Sequence, residues 1–153
     1  MNRRTLLQRG CAIGTLAIAA SSGLLIPGTA IAAYPKQAFQ SKDIVSALSA
    51  GLGSSDFSAS DDIIIKVPGI AENAAVVPIQ IISNIEQTES IALILEGSPN
   101  PFIAMFKFYD SQAKVSTRIK MLKSGELLVV VKADGRLYAA KQSIAVSESE
   151  CDA

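Results

Sequence analysis

Reactive side chains are scarce in this chain, and that scarcity bounds what it can do. The sequence holds no His, no Trp and only two cysteines, Cys11 and Cys151. Without imidazole there is no general-base His, no Cys–His pair and none of the usual zinc or copper ligand sets. No cofactor or metal is therefore expected, and no catalytic residue can be assigned. Cys151 stands in Ser147-Glu148-Ser149-Glu150-Cys151-Asp152-Ala153, past the last strand-like run. If Cys11 is removed with a leader, one thiol remains, and one thiol cannot close an internal disulfide. In an oxidising compartment an odd cysteine implies a reactive thiol or an intermolecular bond. An exposed, unpaired thiol is also an oxidation and dimerisation risk. An incidental cysteine is therefore weighed against a carrier arm that presents a covalently attached group. From Ser147 to Cys151 such an arm extends about 15 Å at the full reach of the chain.

The carboxylates offer less. Asp61-Asp62 and the Glu148/Glu150/Asp152 set are the acidic clusters, and neither has the spacing of a calcium loop. Both read as solvated charge. The glycines are scattered at turns and form no phosphate-cradling loop. Phe102, Phe106 and Phe108 fall at alternate positions of one run, which suggests core packing.

The elements that would hold this thiol begin after a leader. Asn2-Arg3-Arg4-Thr5-Leu6-Leu7 is a positive opening, Arg9 adds charge, and Gly10 to Pro35 carries none. The stretch contains Pro27 and ends in Ala30-Ile31-Ala32, a small-x-small cleavage site. A positive segment, a modest apolar segment and such a site describe a removable signal peptide over residues 1–32, not a retained membrane anchor. The pair Arg3 and Arg4 points to the twin-arginine route, and so to the periplasm. Cys11 precedes the apolar run instead of following it, which sets lipidation aside. Cleavage leaves 121 residues, one ordinary domain. With eleven basic against fourteen acidic residues its net charge is −3. Neither nucleic acid nor an anionic membrane is indicated as a partner.

Within residues 33–146, Tyr34 to Gln40 reads as irregular. Ser41 is a candidate N-cap, Asp43 adds first-turn charge, and Ile44, Val45, Leu48 and Leu52 recur at helical spacing, with Gly51 and Gly53 as the expected stop. Residues 53–61 form a polar loop. The period then changes to two. Seven short runs follow: Ile63–Val67, Val76–Ile82, Ser90–Glu96, Phe102–Phe108, Lys114–Met121, Glu126–Lys132 and Arg136–Val146. The last two are joined by Asp134-Gly135, a hairpin turn signal. Pro78 inside a strand pattern indicates an edge or a bulge. Seven strands at intervals of roughly ten residues, with one short N-terminal helix, predict an all-β sandwich. Residues 147–153 would be a flexible C-terminal arm.

Several segments together resemble one family. Lys66-Val67-Pro68-Gly69-Ile70-Ala71-Glu72-Asn73-Ala74-Ala75-Val76-Val77-Pro78 is similar to the P-x-I-A-E-N-G-A-x-V-P stretch of SoxY, the thiol-bearing subunit of the periplasmic SoxYZ sulfur-compound carrier. Val115-Ser116-Thr117-Arg118-Ile119-Lys120-Met121 and Val131-Lys132-Ala133-Asp134-Gly135-Arg136-Leu137-Tyr138 resemble its later signatures. The leader and Cys151 fit as well, so the resemblance spans essentially the whole chain. It implies an immunoglobulin-like sandwich in a heterodimer with a SoxZ-like subunit. It also implies that Cys151 takes up thiosulfate or another reduced sulfur species, and that Sox enzymes oxidise and hydrolyse the conjugate while the carrier itself catalyses nothing. Export of a folded pair gives the twin-arginine route a reason. One departure matters: the family's Gly-Gly-Cys-Gly-Gly arm is Ser149-Glu150-Cys151-Asp152-Ala153 here. Two readings follow, a sulfur carrier and a divergent SoxY-like binding or partner subunit whose arm does not serve thiosulfate oxidation.

Overall fold

The computed structural model describes residues 34–147. Arg3, Arg4, the leader and Cys151 all lie outside that range. Two short helices, α1 (Lys36–Gln40) and α2 (Ile44–Leu52), precede nine strands. These are β1 (Ser58–Ala59), β2 (Ile63–Lys66), β3 (Ile70–Ala71), β4 (Val77–Ser83), β5 (Thr88–Leu95), β6 (Phe102–Lys107), β7 (Lys114–Ile119), β8 (Gly125–Ala133) and β9 (Arg136–Val146). The larger sheet runs β1-β9-β8-β5-β6, with β3 also paired to β9, and the smaller runs β2-β4-β7. The result is an immunoglobulin-like sandwich, as expected. All seven expected strands are present, and β1 and β3 add two-residue pieces at the β9 edge.

Each sheet's period-two pattern shows where its faces go. On β4, Val77, Ile79 and Ile81 are buried while Pro78 is exposed, so the smaller sheet has one dry face and one wet one. On β5 and β8 nearly every residue is buried. Their alternate side chains enter two different cores. Ile91, Leu93, Leu127, Val129 and Val131 face the smaller sheet and meet Ile79 and Ile81. Ala92, Ile94, Leu128 and Val130 face the other way and meet Ala47, Leu48 and Leu52 of α2. A sheet covered on both faces reads as a continuous apolar run, here Ile91–Leu95 and Leu127–Val131.

The helical region differs from the sequence expectation in two ways. Lys36–Gln40 is one helical turn, not irregular chain, and it seals Ala38 completely. A five-residue turn is too short to display a 3.6-residue period. The cap of α2 is Asp43, not Ser41: its carboxylate Oδ2 accepts the backbone N–H of Ser46 at 2.9 Å. Ser41 instead ends α1, donating its N–H to Gln37 and Ala38 carbonyls. The Ser46 backbone bond, with help from the Ser46 hydroxyl, holds the Asp43 carboxyl below its ordinary pKa.

Two strand irregularities also matter. The β5–β6 register shifts between Leu93 and Ile94, pairing Leu93 with Ala104 but Ile94 with Phe102. The extra residue, Ile103, reverses the facing of what precedes it. Phe102 therefore enters the helix-covered core, where its ring meets Phe39 edge-on at 4.9 Å, while Phe106 and Phe108 pack on the sandwich core. Phe102 is buried in one core, whereas Phe106 and Phe108 pack, partly buried, against the other. Pro78 lies in the middle strand of its sheet, yet β2 stops at the Lys66–Gln80 pair. Pro78 consequently has a strand neighbour on one side only, as its missing N–H requires. The Asp134-Gly135 turn forms as expected, with φ of 48° and 70° and Ala133 paired to Arg136. Among the described residues no helix is long and apolar enough to cross a membrane.

Candidate functional site

Cys151 lies outside the described residues, but the point from which its segment departs is fixed in detail. Strand β9 ends at Val146, and its last two residues pair in parallel with β3, Ala145 with Ile70 and Val146 with Ala71. Ser147 then donates its backbone N–H to the Ala71 carbonyl at 3.0 Å, and its hydroxyl approaches the Ala71 and Glu72 carbonyls at 3.4 and 3.3 Å. On the other flank, Ser124 Oγ accepts the Val146 N–H at 2.9 Å. The departure point is thus held between two segments that are far from it in sequence.

The Lys66–Pro78 segment builds that clamp. It leaves the smaller sheet at Lys66, turns at Pro68-Gly69, and reaches the larger sheet at Ile70. The methyl of Ala71 is buried in the sandwich core, which anchors the crossing. Asn73 then folds the chain back: its side-chain oxygen accepts the Ala75 N–H at 2.9 Å and its carbonyl accepts the Val76 N–H at 3.1 Å. The Ala74 carbonyl takes the Met121 N–H at 2.8 Å, joining the loop to the end of β7. A two-residue parallel contact between positions some 75 residues apart has no periodic signature. The segment stood out in the sequence only through its likeness to a known stretch, and the clamp itself left no mark there.

Around this point the surface is both apolar and basic. Ile70 and Leu122 are 65% and 76% exposed, and Val76 is also exposed. Lys66 and Arg118 project from the outer face of the smaller sheet, and Lys114 stands on the same face at its far, Ser83 end. Lys120 and Lys123 follow β7, lining a shallow pocket with Glu96. None of these five is in an ion pair among the described residues. The ion pairs there involve Lys132 and Lys141 of the larger sheet. Lys141 meets Glu96 at 2.7 Å, and that hydrogen bond raises its pKa.

Nothing else described assembles a reaction centre. Asp61 and Asp62 are exposed, and no group of three His, Cys, Asp or Glu residues could hold a metal among the described residues. The Glu148/Glu150/Asp152 set lies outside them. A cleft of about 800 Å³ opens between the β4–β5 and β6–β7 loops, lined by Gln87, Glu89, Tyr109 and their neighbours. It sits at the Ser83 end of the smaller sheet, away from Ser147. Its inner polar groups are internally satisfied, with the Thr88 hydroxyl bonded to Ile85 and Ser83.

The comparisons with known proteins agree with this geometry. A family model described as sulfur oxidation protein SoxY matches residues 48–151, a span that includes both the clamp and Cys151. Among solved structures, the sulfur carrier protein SoxY from Chlorobium limicola f thiosulfatophilum aligns with a TM-score of 0.60 and 35% identity. The alignment covers 66% of this chain and 93% of that one. A chain of a structure described as the structural basis of T cell specificity and activation by the bacterial superantigen toxic shock syndrome toxin-1 also aligns, at TM-score 0.41 and 10% identity over 56% of this chain and 99% of its own. A likeness at that level carries no argument. No curated protein matches.

Proposed function

This chain belongs to the SoxY family of sulfur oxidation proteins, and on that premise we propose that it carries sulfur intermediates bound covalently to Cys151 in the periplasm. The observation that carries the reading is the extent of the family match, which runs through the clamp to residue 151 itself. The clamped Ser147 supports it, because a fixed root four residues before a thiol is what a presenting arm needs. In loading, the Cys151 sulfur bonds to the sulfane sulfur of thiosulfate, one proton leaves, and two electrons pass to an oxidising partner enzyme. Hydrolysis of the terminal sulfonate as sulfate, again by a partner, would leave a persulfide on the arm. The chain supplies the attachment atom and its placement, with no catalytic step of its own. A SoxZ-like subunit is the proposed heterodimer partner. Export through the twin-arginine route rests on Arg3, Arg4 and the Ala30-Ile31-Ala32 site.

A second reading is favoured by one specific observation, the replacement of the arm's glycines. Ser149, Glu150, Asp152 and Ala153 restrict the backbone where glycine would not, and the carboxylates disfavour a thiolate between them. In that reading the domain remains a SoxY-like partner subunit but does not serve thiosulfate oxidation.

Intact-protein mass spectrometry separates the two. The chain is co-purified with a SoxZ-like partner and incubated with thiosulfate and the matching oxidising enzyme. A thiosulfonate adduct, absent in Cys151→Ser, is the expected result. An unmodified thiol, beside a Gly-Gly-Cys-Gly-Gly arm on the same domain that does load, would overturn the thiosulfate carrier and leave the partner subunit.

A further inference from the structure

The smaller sheet presents a wet face that nothing described covers, and its charge is of one sign. The register places its outward side chains in rows: Ile64, Ile82 and Lys114; then Lys66, Gln80 and Ser116; then Pro78 and Arg118. Lys120 and the exposed Val76 extend the same face past the last pair, Val77 with Ile119. Four cations therefore line one face without an acidic partner among the described residues, and no carboxylate stands in any of these rows. The acids nearest along the chain are Asp62, four residues before Lys66, Asp110, four before Lys114, and Glu72, exposed in the crossing loop, while Glu96 lines a shallow pocket together with Lys120. Asp61 and Asp62 precede β2 at the far end.

The segment that leaves Ser147 carries the opposite charge in a matching pattern. Glu148, Glu150 and Asp152 occupy every second position, with Ser149 and Cys151 between them. In an extended chain, alternation places the three carboxylates on one side and the thiol on the other. We infer that residues 148–152 dock, extended, on the basic outer face of the smaller sheet, with their carboxylates toward Lys66, Arg118 and Lys120 and the Cys151 thiol turned outward.

Length and spacing both allow it. Ser147 is bonded to Ala71, five residues from Lys66, so the two points are separated by no more than about 17 Å. Five residues from Ser147 to Asp152 reach the same distance. Lys66 and Arg118 lie two strands apart and two residues offset, about 12 Å, and Glu148 to Asp152 spans about 13 Å when extended. Docking sets the cations beside the carboxylates that flank the thiol. The repulsion those carboxylates exert on a thiolate, and on any anionic sulfur species, is thereby offset. Glu72 opposes the arrangement, and it sits at the root where Glu148 begins. The placement does not depend on what Cys151 carries, so a failure to load thiosulfate would leave it standing.

The test is a nitroxide label on Cys151 of the full chain bearing Cys11→Ser, read by amide signal loss in NMR spectra. In about 0.01 M salt, signals of Lys66, Gln80, Ser116 and Arg118 should be lost, while those of Ala47 in α2 and Ala139 in the core beneath it remain. In about 1 M salt, where the screening length falls from roughly 30 Å to roughly 3 Å, the lost signals should return. They should also return in Lys66→Glu/Arg118→Glu, and in an arm with Glu148→Gln, Glu150→Gln and Asp152→Asn, which leaves the domain untouched. Signal loss confined at both salts to residues next to Ser147, or spread over other faces, would overturn the inference.

Discussion

Gly51→Ala puts the account of the second core to a quantitative test, because two effects of similar size oppose each other. Gly51 lies inside α2, where replacing glycine by alanine ordinarily stabilises a helix by about 1 kcal/mol. The space it faces is already occupied. A β-carbon at Gly51 would stand 2.8 Å from both Cε2 and Cζ of Phe102 and 3.3 Å from the Ala38 methyl, whereas ordinary contact begins at 3.4 Å. The Phe102 ring would have to retreat by about 0.6 Å. It is 2% exposed and held edge-on by Phe39, so it has little room to do so. Overpacking of this kind costs roughly 1–3 kcal/mol. The clash should win, with a net loss of about 1 kcal/mol and a drop in Tm of roughly 4 °C for a domain of this size. Thermal unfolding of Gly51→Ala, Phe102→Leu and the double variant measures the sign directly. The double variant should lose less than the two single losses added together, because the smaller side chain vacates the space the methyl needs. A Gly51→Ala protein more stable than the parent would refute the packing described for α2, Phe102 and Phe39.

Three further outcomes follow from the same coordinates. Ile81→Ala, at a fully buried position of the sandwich core, should cost about 2–5 kcal/mol in urea unfolding with an unchanged slope; a loss below 1 kcal/mol would mean the two sheets do not meet there. Asp43→Ala should lower stability at neutral pH. Because the folded carboxyl titrates below its ordinary value, its contribution is complete above that value and disappears as pH falls through the depressed one. The gap between parent and variant should therefore close in acid, and a gap that widens would refute the cap. Lys141→Met should change stability by less than about 1 kcal/mol, since the Lys141 side chain is 49% exposed and its pairs with Glu96 and Glu126 are screened; a loss of several kcal/mol in chemical denaturation would contradict that.

How much of this was legible in the sequence differs by element, for physical reasons. Strands β4, β5, β8 and β9 were readable because burial of one or both faces writes itself into apolar alternation or an apolar run. The Asp134-Gly135 turn was readable because a two-residue hairpin demands positive φ at both positions. Helix α1 was not, since one turn has no period. Asp43 displaced Ser41 as the cap of α2 because Ser41 is itself committed to ending α1, which depends on where that shorter helix stops. The bulge at Ile103 left no mark either. Phe102 and Phe106 keep the spacing of a regular strand while facing opposite cores, and only the β5 register shows the slip. Of the candidate site, Cys151, Arg3 and Arg4 were named from residue type and context alone, and all three lie outside the described residues.

The division between what resembles the family and what departs from it follows the division of labour in the molecule. The Lys66–Pro78 segment ends β2, crosses between the sheets, buries Ala71, holds Val146 and Ser147, and starts β4. Its residues are therefore constrained by turn geometry, by a methyl-sized space and by a backbone pairing, all at once. The change of the arm's glycines falls after Ser147, outside the described residues, while within the clamp segment Ala74 stands where the family stretch has Gly. A changed arm leaves the root where it was. On the proposed reading, loading of Cys151 turns on the residues beyond that root: the backbone freedom lost with the glycines, and the three carboxylates around the thiol. A glycine arm grafted at Ser147 alters only those terms, which is why it is the right control for loading.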